Sequence, residues 1–323
     1  MSLTLLSLVQ TAQAELGLFP TASTVVGNTD NIVQQLFALA NALGGDLVLA
    51  RDWTAQQRQG IITTTAPLVT TGDTTAGSAT ITNLASTTGL TNYQYVATGN
   101  GIPSAARMIL VDTGLATATL DSVAEETDTG VTITFARDRY PLPSDWSHFI
   151  DQTNWDRTNH WPMIGPMSPQ EDQWVRSGIV TTGPRRRFRT TAIYAQSSAT
   201  SYRAVEIWPP PQTSDPVLTL AYEYISGWWV RYLSGGISNY KPTFTVDTDV
   251  PVFPDRLMIS GLKLRFLSAK GLDTARAEQE YERIKQRVMS EDAGAKTVDL
   301  SRHRSSLLLS PANVQDANFP APA

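Results

Sequence analysis

Two histidine and aspartate pairs have the spacing of metal ligands. His148 and Asp151 are three residues apart, and Asp156 and His160 are four apart, so each pair would share one face of a helix. Zinc takes four ligands, and a catalytic zinc keeps three from the protein. Because no third ligand accompanies either pair, we expect no metal site, with His148 on a helix surface and His160 in a turn.

The sequence contains few motifs that indicate other kinds of catalytic or binding chemistry. The absence of cysteine excludes disulfide bonds, thiolate nucleophiles and cysteine-bound zinc. The sequence lacks the nucleophile elbow G-x-S-x-G, the phosphate-binding G-x-x-x-x-G-K-[ST] and the dinucleotide-binding G-x-G-x-x-G. A glycan hydrolase needs two carboxylates across a cleft, and such a pair forms in space, so that enzyme class stays an alternative. We predict no catalytic residue, no cofactor and no metal.

A dense run of arginines lies in the second half of the chain. Arg185, Arg186, Arg187 and Arg189 follow Gly183-Pro184, where a turn is expected. The run could contact DNA phosphates or an acidic partner, or could be a solvated hairpin tip. A solvated tip or a protein contact is favoured, since firm DNA binding needs many phosphate contacts. These four arginines are a candidate basic contact loop.

Composition indicates a folded chain of moderate charge. Of the 323 residues, 41% are hydrophobic and 17% are charged, which suits one large globular domain or two moderate ones. The net charge of −5 argues against a broad basic face that grips nucleic acid. No basic region precedes the apolar residues Leu3 to Val9, so an amphipathic helix is expected rather than a signal peptide. No run approaches the roughly 18 apolar residues of a membrane span, so we expect a cytoplasmic chain without a membrane partner.

The stretch from Arg137 to Arg176 carries the strongest structural signals. Tyr140 to Pro143 must be extended, because each proline disfavours a helical conformation in the residue before it. A helix is predicted from the N-cap Ser144 to residues 155–157, and a second capped segment begins at Ser168. The residues at helical spacing in the first helix are Trp146, Phe149, Ile150 and Thr153.

This combination of prolines, aromatic residues and turns resembles the head-to-tail adaptor (connector, tubular tail protein A-like) family of short-tailed double-stranded DNA phages. The matching residues are Tyr140, Pro141, Leu142, Pro143, Asp145, Ile150, Asp151, Trp155, Arg157, Gly165, Pro166, Ser168, Pro169, Gln170, Glu171 and Trp174. The resemblance implies a ring-forming structural protein beneath the portal. It also implies that these residues, the fold landmarks, shape the subunit and do not catalyse a reaction.

The first 65 residues predict two helices and a strand. Apolar residues recur at helical spacing over Ser2–Leu16 and, after caps at residues 28–30, over Val33–Ala50. Gly44-Gly45 interrupts the second helix, and two mid-helix glycines cost about 1 kcal/mol each relative to alanine, so close packing or a local break is expected. A strand is predicted over residues 57–65.

Residues 66–135 predict an inserted β-domain. Between Pro67 and Thr134 the composition changes to Thr, Ser, Ala, Gly and Val, with short β-patterned runs separated by turn signals, which favours a small antiparallel sandwich or barrel. Insertions enter surface loops at little thermodynamic cost. This stretch is similar to β-modules of several phage structural proteins, which implies contact with a neighbouring tail protein or tail fibre. A passive decoration is the alternative.

The second half of the chain predicts strands and then a helical hairpin. Strands are expected at residues 177–182, 187–194, 204–208 and 217–226, and the paired tryptophans 228 and 229 are expected as core or interface anchors. The hairpin begins at Pro254-Asp255 and turns at Lys270-Gly271, with Asp273 as the second cap. Further matches to the adaptor family are Leu257, Gly261, Leu264, Lys270, Gly271, Leu272, Asp273, Tyr281 and Glu282. In that family such helices pack side by side between subunits.

Residues 294–323 predict an extended C-terminal arm, because they lack any burying pattern. The resemblance implies that the arm reaches the portal or an adjacent subunit. Its candidate contact residues are Arg302, His303, Arg304, Leu307, Leu308 and Leu309. A frayed terminus is the alternative.

The sequence therefore predicts an α+β fold: a helical core with an antiparallel β-sheet (residues 1–65 and 136–293), an inserted β-domain (66–135) and the arm. By resemblance the chain is a virion protein at the head–tail junction, assembled in the host cytoplasm as a dodecameric ring of identical subunits. Portal and tail tube or nozzle would be its partners, with DNA passing through the ring, and a weakly acidic chain suits that passage. The alternatives are a tail-associated cell-wall or polysaccharide hydrolase and a carbohydrate-binding tail accessory protein.

Overall fold

A computed structural model describes residues 3–176, 186–194 and 201–292. The fold is mixed α+β, as predicted, and the sheets are antiparallel. The described residues form the α-helices α1 (Leu5–Glu15), α2 (Asn31–Ala50), α3 (Pro169–Arg176), α4 (Asp255–Ala269) and α5 (Ala275–Asp292). The predicted strand at 177–182 and the predicted arm lie outside the described residues.

The strands before the landmark stretch are β1 (Gln57–Thr63), β2 (Leu68–Thr74), β3 (Thr80–Ile81), β4 (Tyr95–Gly99), β5 (Ala106–Asp112), β6 (Thr117–Leu120) and β7 (Asp128–Arg137). The later strands are β8 (Arg139–Pro141), β9 (Trp146–Phe149), β10 (Trp155–Asp156), β11 (Trp161–Pro162), β12 (Arg187–Tyr194), β13 (Ser201–Trp208), β14 (Thr219–Ser226), β15 (Val230–Ser234), β16 (Ile237–Lys241) and β17 (Val250–Pro251).

Helices α1, α2 and α4 enclose the largest of three hydrophobic clusters. Their buried residues follow the predicted helical spacing, and Asp30 caps α2 by accepting a 2.8 Å hydrogen bond from the amide of Ile32. Helix α2 runs through both glycines without a break. A Cβ atom on Gly44 would lie 2.1 Å from the ring of Trp229, so close packing is the reason for this glycine.

Helix α2 also meets the length and composition of a membrane-crossing helix, with a mean hydropathy of 1.4. No membrane-spanning segment was predicted from the sequence. A core helix of a globular protein meets the same criterion, and α2 contributes Val33, Leu36, Leu43 and Leu47 to the helical cluster. One third of the apolar window is buried in the described fold, and this part of α2 packs against α4 and Trp229.

Strands β2 to β7 form a nearly closed barrel, which is one of the two predicted forms. Their order is β2-β7-β4-β5-β6-β3, and a bridge between Asp73 and Thr82 brings the last strand back beside the first. The cluster inside this barrel draws its side chains only from residues 68–135. The other two clusters contain none of these residues, so the barrel buries its own apolar surface.

A third cluster lies under β14, the central strand of a five-stranded sheet. Leu218, Leu220, Tyr222 and Tyr224 all point to its buried face, as their alternation in sequence predicted. Strands β1, β9 and β10 pair with β14, while β12, β13 and β8 form a neighbouring three-stranded sheet. Tyr140 and Phe188, which belong to that second sheet, contribute to the same cluster.

The predicted helix from Ser144 is wrong, because residues 146–149 form β9 and pair with β14. The carboxylate of Asp145 does not lie at a helix start; it accepts hydrogen bonds from the hydroxyls of Ser226 (2.7 Å) and Tyr224 (3.1 Å). The ring of Phe149 packs edge-on against Tyr222 at 5.2 Å. Cross-strand aromatic contacts thus outweigh a short stretch of helical spacing.

The two remaining helical predictions are confirmed. Helix α3 begins directly after Ser168, whose hydroxyl accepts a hydrogen bond from the amide of Glu171 at 3.2 Å. In the C-terminal hairpin, the carboxylate of Asp273 accepts from the amide of Ala275 at 3.0 Å at the start of α5. Helix α4 packs against α1, α2 and α5.

Candidate functional site

A groove of about 750 Å³ lies beside the landmark stretch, and we call it the landmark groove. The segment between α2 and β1 forms one wall. Strand β9 forms the other wall, and the turn before α3 closes one side. Arg51, Asp52 and Thr54 lie on the first wall. Trp146 and Phe149 lie on the second wall, with Asp151 just after the strand, and Gly165 lies at the turn.

The groove combines aromatic surface with polar groups. The rings of Trp146 and Phe149 lie edge to face at 5.1 Å, and the indole N–H of Trp146 is buried without a hydrogen-bond partner among the described residues. His148 Nε2 lies 3.1 Å from Asp52 Oδ1, and both side chains are exposed. An open surface of this composition suits binding of a chain segment, with aromatic area for contact and polar groups for orientation.

The histidine and aspartate pairs do not converge into a metal site in the part of the chain that is described. No group of three or more histidine and acidic side chains there could hold a metal ion. His148 lies on strand β9, so its predicted position on a helix surface is wrong. His160 lies in a turn, as predicted.

A second site, the junction cluster, lies where the barrel meets the other sheets. It comprises Arg107, Asp138, Arg139, Asp172, Arg176, Arg189 and Glu206. Strand β5 of the barrel supplies Arg107, and Asp138 follows the barrel's last strand. Four of these arginines border a cavity of about 490 Å³.

Glu206 is the centre of the junction cluster. Its fully buried carboxylate accepts from Arg139 at 2.9 Å, from Arg107 and Arg189 at 3.1 Å each, and from Arg176. Burial alone would raise the pKa of Glu206, but the four guanidinium groups outweigh burial and hold that pKa at about 2. The carboxylate is therefore ionised at neutral pH.

Asp138 has the opposite balance. Its carboxylate is also fully buried and lies 2.9 Å from Arg107 Nη2. Burial raises the pKa of Asp138 to about 6, and the nearby Glu206 adds to the rise, although Arg107 opposes it. The pKa of Asp138 thus lies above its ordinary value, whereas the pKa of Glu206 in the same cluster lies below its ordinary value.

The junction cluster was not predicted from the sequence. Glu206 stands in an apolar strand, and Asp138 lies just past the predicted insertion, between two arginines. A charged residue in a buried strand needs a partner, so Glu206 was a detectable signal. Its partners could not be read from the sequence, since Arg107 is 99 positions away.

The predicted basic contact loop is not a solvated tip where it is described. Arg187 and Arg189 lie in strand β12, where Arg187 pairs with Glu171 at 2.6 Å and Arg189 with Asp172 at 3.0 Å. Arg186 pairs with Asp215 at 2.5 Å. Arg185 lies outside the described residues, as do all six predicted contact residues of the arm.

The fold landmarks differ in burial and packing. Tyr140 and Leu142 are buried in the third cluster, and a Cβ atom on Gly165 would lie 2.4 Å from the carbonyl oxygen of Phe188. Trp155 and Trp174 are 38% and 50% exposed. Their role as landmarks of a family stays a prediction.

An apolar hairpin tip lies at the turn between β15 and β16. Leu233 and Ile237 are 75% and 68% exposed, on either side of Gly235-Gly236. In the register Leu233 faces Ser238 and Ile237 faces Ser234, so the two apolar side chains lie on opposite faces of the hairpin. Trp229, at the base of the same hairpin, is buried in the helical cluster.

Comparison of the chain with models of known protein families gives no match, and comparison with curated proteins gives no similar sequence.

Proposed function

We propose that this protein is a non-enzymatic virion protein, a head-to-tail adaptor that forms a ring between the portal and the tail tube or nozzle of a phage. The observation that carries the proposal is the apolar hairpin tip. Two large apolar side chains, on opposite faces of a projecting hairpin, gain contact area on both faces when a partner surrounds them.

Such a tip fits a head-to-tail contact between identical subunits. A projecting element that fills a recess elsewhere on the next copy makes a heterologous interface, and heterologous interfaces close into rings when the rotation allows it. A dodecameric ring that matches the portal is the proposed assembly. The helical core would pack between neighbours, and the barrel would face a tail protein or tail fibre.

Internal pairing of charge supports passage of DNA through the ring. Arg186, Arg187 and Arg189 are each matched by a carboxylate of the same chain, and the net charge is −5. Phosphate contacts release counterions and strengthen binding with each added cation, so arginines that are already paired with carboxylates add little to retention of the genome during ejection.

Native mass measurement of the full chain, alone and mixed with its portal, tests the proposal. A ring of defined stoichiometry on the portal is the expected result. Failure to bind the portal, or peptidoglycan hydrolysis that disappears when one Asp or Glu is replaced, would overturn it. Binding of glycans in place of the portal would favour a carbohydrate-binding tail accessory protein.

A further inference from the structure

Helix α5 ends at the mouth of the landmark groove. The carboxylate of Asp292, its last residue, accepts hydrogen bonds from the Thr54 hydroxyl (2.6 Å) and the Thr54 amide (3.0 Å). The side chain of Arg51 donates to the carbonyl oxygen of Met289 one turn earlier. Because Arg51 and Thr54 line the groove, the chain beyond residue 292 starts at its edge.

The chain after α5 is long enough to enter the groove. Residues 293–323 follow Asp292, and the apolar Leu307 to Leu309 begin 15 positions beyond it (307 − 292 = 15). An extended chain covers at most about 3.3–3.6 Å per residue, so this stretch spans up to roughly 50 Å. The length of the chain therefore allows Leu307 to Leu309 to contact the groove of the same subunit.

The chemistry of this segment complements the groove. Residues 301–309 read Ser-Arg-His-Arg-Ser-Ser-Leu-Leu-Leu, a cationic half followed by an apolar half. The groove offers the rings of Trp146 and Phe149 to apolar side chains and Asp151 to cations. Asp151 is exposed and has no ion-pair partner among the described residues.

We propose that the landmark groove binds residues 301–309 of the same chain. The contact holds the C-terminal segment on its own subunit until a partner that binds the segment more tightly displaces it. This inference does not depend on the identity of that partner, so it stands or falls separately from the adaptor proposal.

Disulfide trapping in the full chain tests the contact, and the absence of native cysteine makes the result unambiguous. The trapping variant combines Gln152→Cys on the groove wall with Ser306→Cys in the segment. The control variant combines Val123→Cys, an exposed position on the barrel, with Ser306→Cys. A segment held in the groove has a local concentration far above that of a free tether, so we expect ~10-fold faster disulfide formation in the trapping variant.

Two further variants test the chemistry without disturbing the fold. In the trapping background, Leu308→Ser removes an apolar group of the segment and Asp151→Lys reverses an exposed charge in the groove, and each is expected to slow disulfide formation. Equal rates in the trapping and control variants would overturn the proposal. Covalent dimers as the main product, detected by mass on non-reducing gels, would overturn it in favour of a second copy as the occupant.

Discussion

Arg107 Nη2 lies 3.1 Å from Glu206 Oε1, which joins a barrel strand to strand β13 across 99 positions of sequence. The contact lies among three further arginines and two further carboxylates, and it is one of the contacts that join the barrel to the neighbouring sheet. A buried charge that loses its partner destabilises the fold strongly. Substitutions in the junction cluster should therefore lower the free energy of unfolding more than substitutions on the surface.

Glu206→Gln is expected to destabilise the fold by about 3–5 kcal/mol, because it removes the charge that four arginines share. Chemical denaturation followed by circular dichroism measures the change. Glu223→Gln is the matched control: Glu223 is exposed on strand β14, so its replacement should change stability by less than about 0.5 kcal/mol. Equal small effects of both variants would show that Glu206 does not organise the cluster.

The stability of the protein should rise on mild acidification. The pKa of Asp138 in the folded state, about 6, exceeds its ordinary value of 3.8, so the folded state binds this proton more tightly and gains stability as the pH falls through 6. The pKa of Glu206 in the folded state, about 2, lies below its ordinary value of 4.5, so its contribution to stability is complete above pH 4.5 and is lost progressively as the pH falls toward 2. Because Asp138 adds stability as the pH falls through 6 and Glu206 loses stability at lower pH, the free energy of unfolding should be greatest near pH 5.

Urea unfolding between pH 4 and pH 8 checks this profile. The free energy of unfolding should increase by about 1 kcal/mol between pH 7 and pH 5. Asp138→Asn should abolish the gain, because asparagine keeps the shape but does not titrate, whereas Asp128→Asn at an exposed position should leave it intact. A persistent gain in the Asp138→Asn variant would assign the titration to another group.

The adjacent glycines of α2 should respond in opposite directions to alanine. A Cβ atom at Gly44 would meet the buried ring of Trp229, so Gly44→Ala should cost about 3 kcal/mol or more. At Gly45 no atom lies within 4 Å, so Gly45→Ala should gain up to about 1 kcal/mol from helix propensity. Thermal unfolding of the two variants side by side measures the difference, and a similar effect of both would contradict the packing of Trp229.

Residues 66–137 should fold when expressed alone, because the barrel cluster contains only residues of this range. The expected evidence is a cooperative unfolding transition and a β-type circular dichroism spectrum. In the isolated barrel the arginine at position 107 lies on the surface, so Arg107→Gln should be nearly neutral there and destabilising in the full chain. A disordered fragment would show that the predicted domain boundary is wrong.

Leu233→Ser combined with Ile237→Ser should weaken ring formation and leave the subunit folded. Both side chains are exposed, so their replacement changes stability by no more than about 0.5 kcal/mol each. Native mass spectrometry of the full chain with its portal gives the ring population. Val123→Ser, at an exposed position on the barrel, is the control, and normal rings from the double variant would remove the hairpin tip from the interface.

The sequence predicted the elements that are stabilised by contacts between residues close together in the chain. The helical spacing of α1, α2 and α4 and the cap at Asp273 could be read from the chain because a helix is stabilised by residues close in sequence. The barrel strands followed from their turn signals and alternation. Strand β9 could not be predicted in this way, since its backbone partner is β14 and its aromatic contacts come from two different sheets.

The amino-acid sequence by itself determined the mixed class, the strands of residues 68–135 and the segments that bury apolar faces, because hydrophobic period and turn chemistry are local properties. Only the tertiary structure decided where charge is neutralised and where grooves form. Arg107, Asp138 and Glu206 meet, and α5 ends beside Thr54, through contacts between residues far apart in the chain. The free energy of such contacts depends on distance and burial, which the order of residues does not contain.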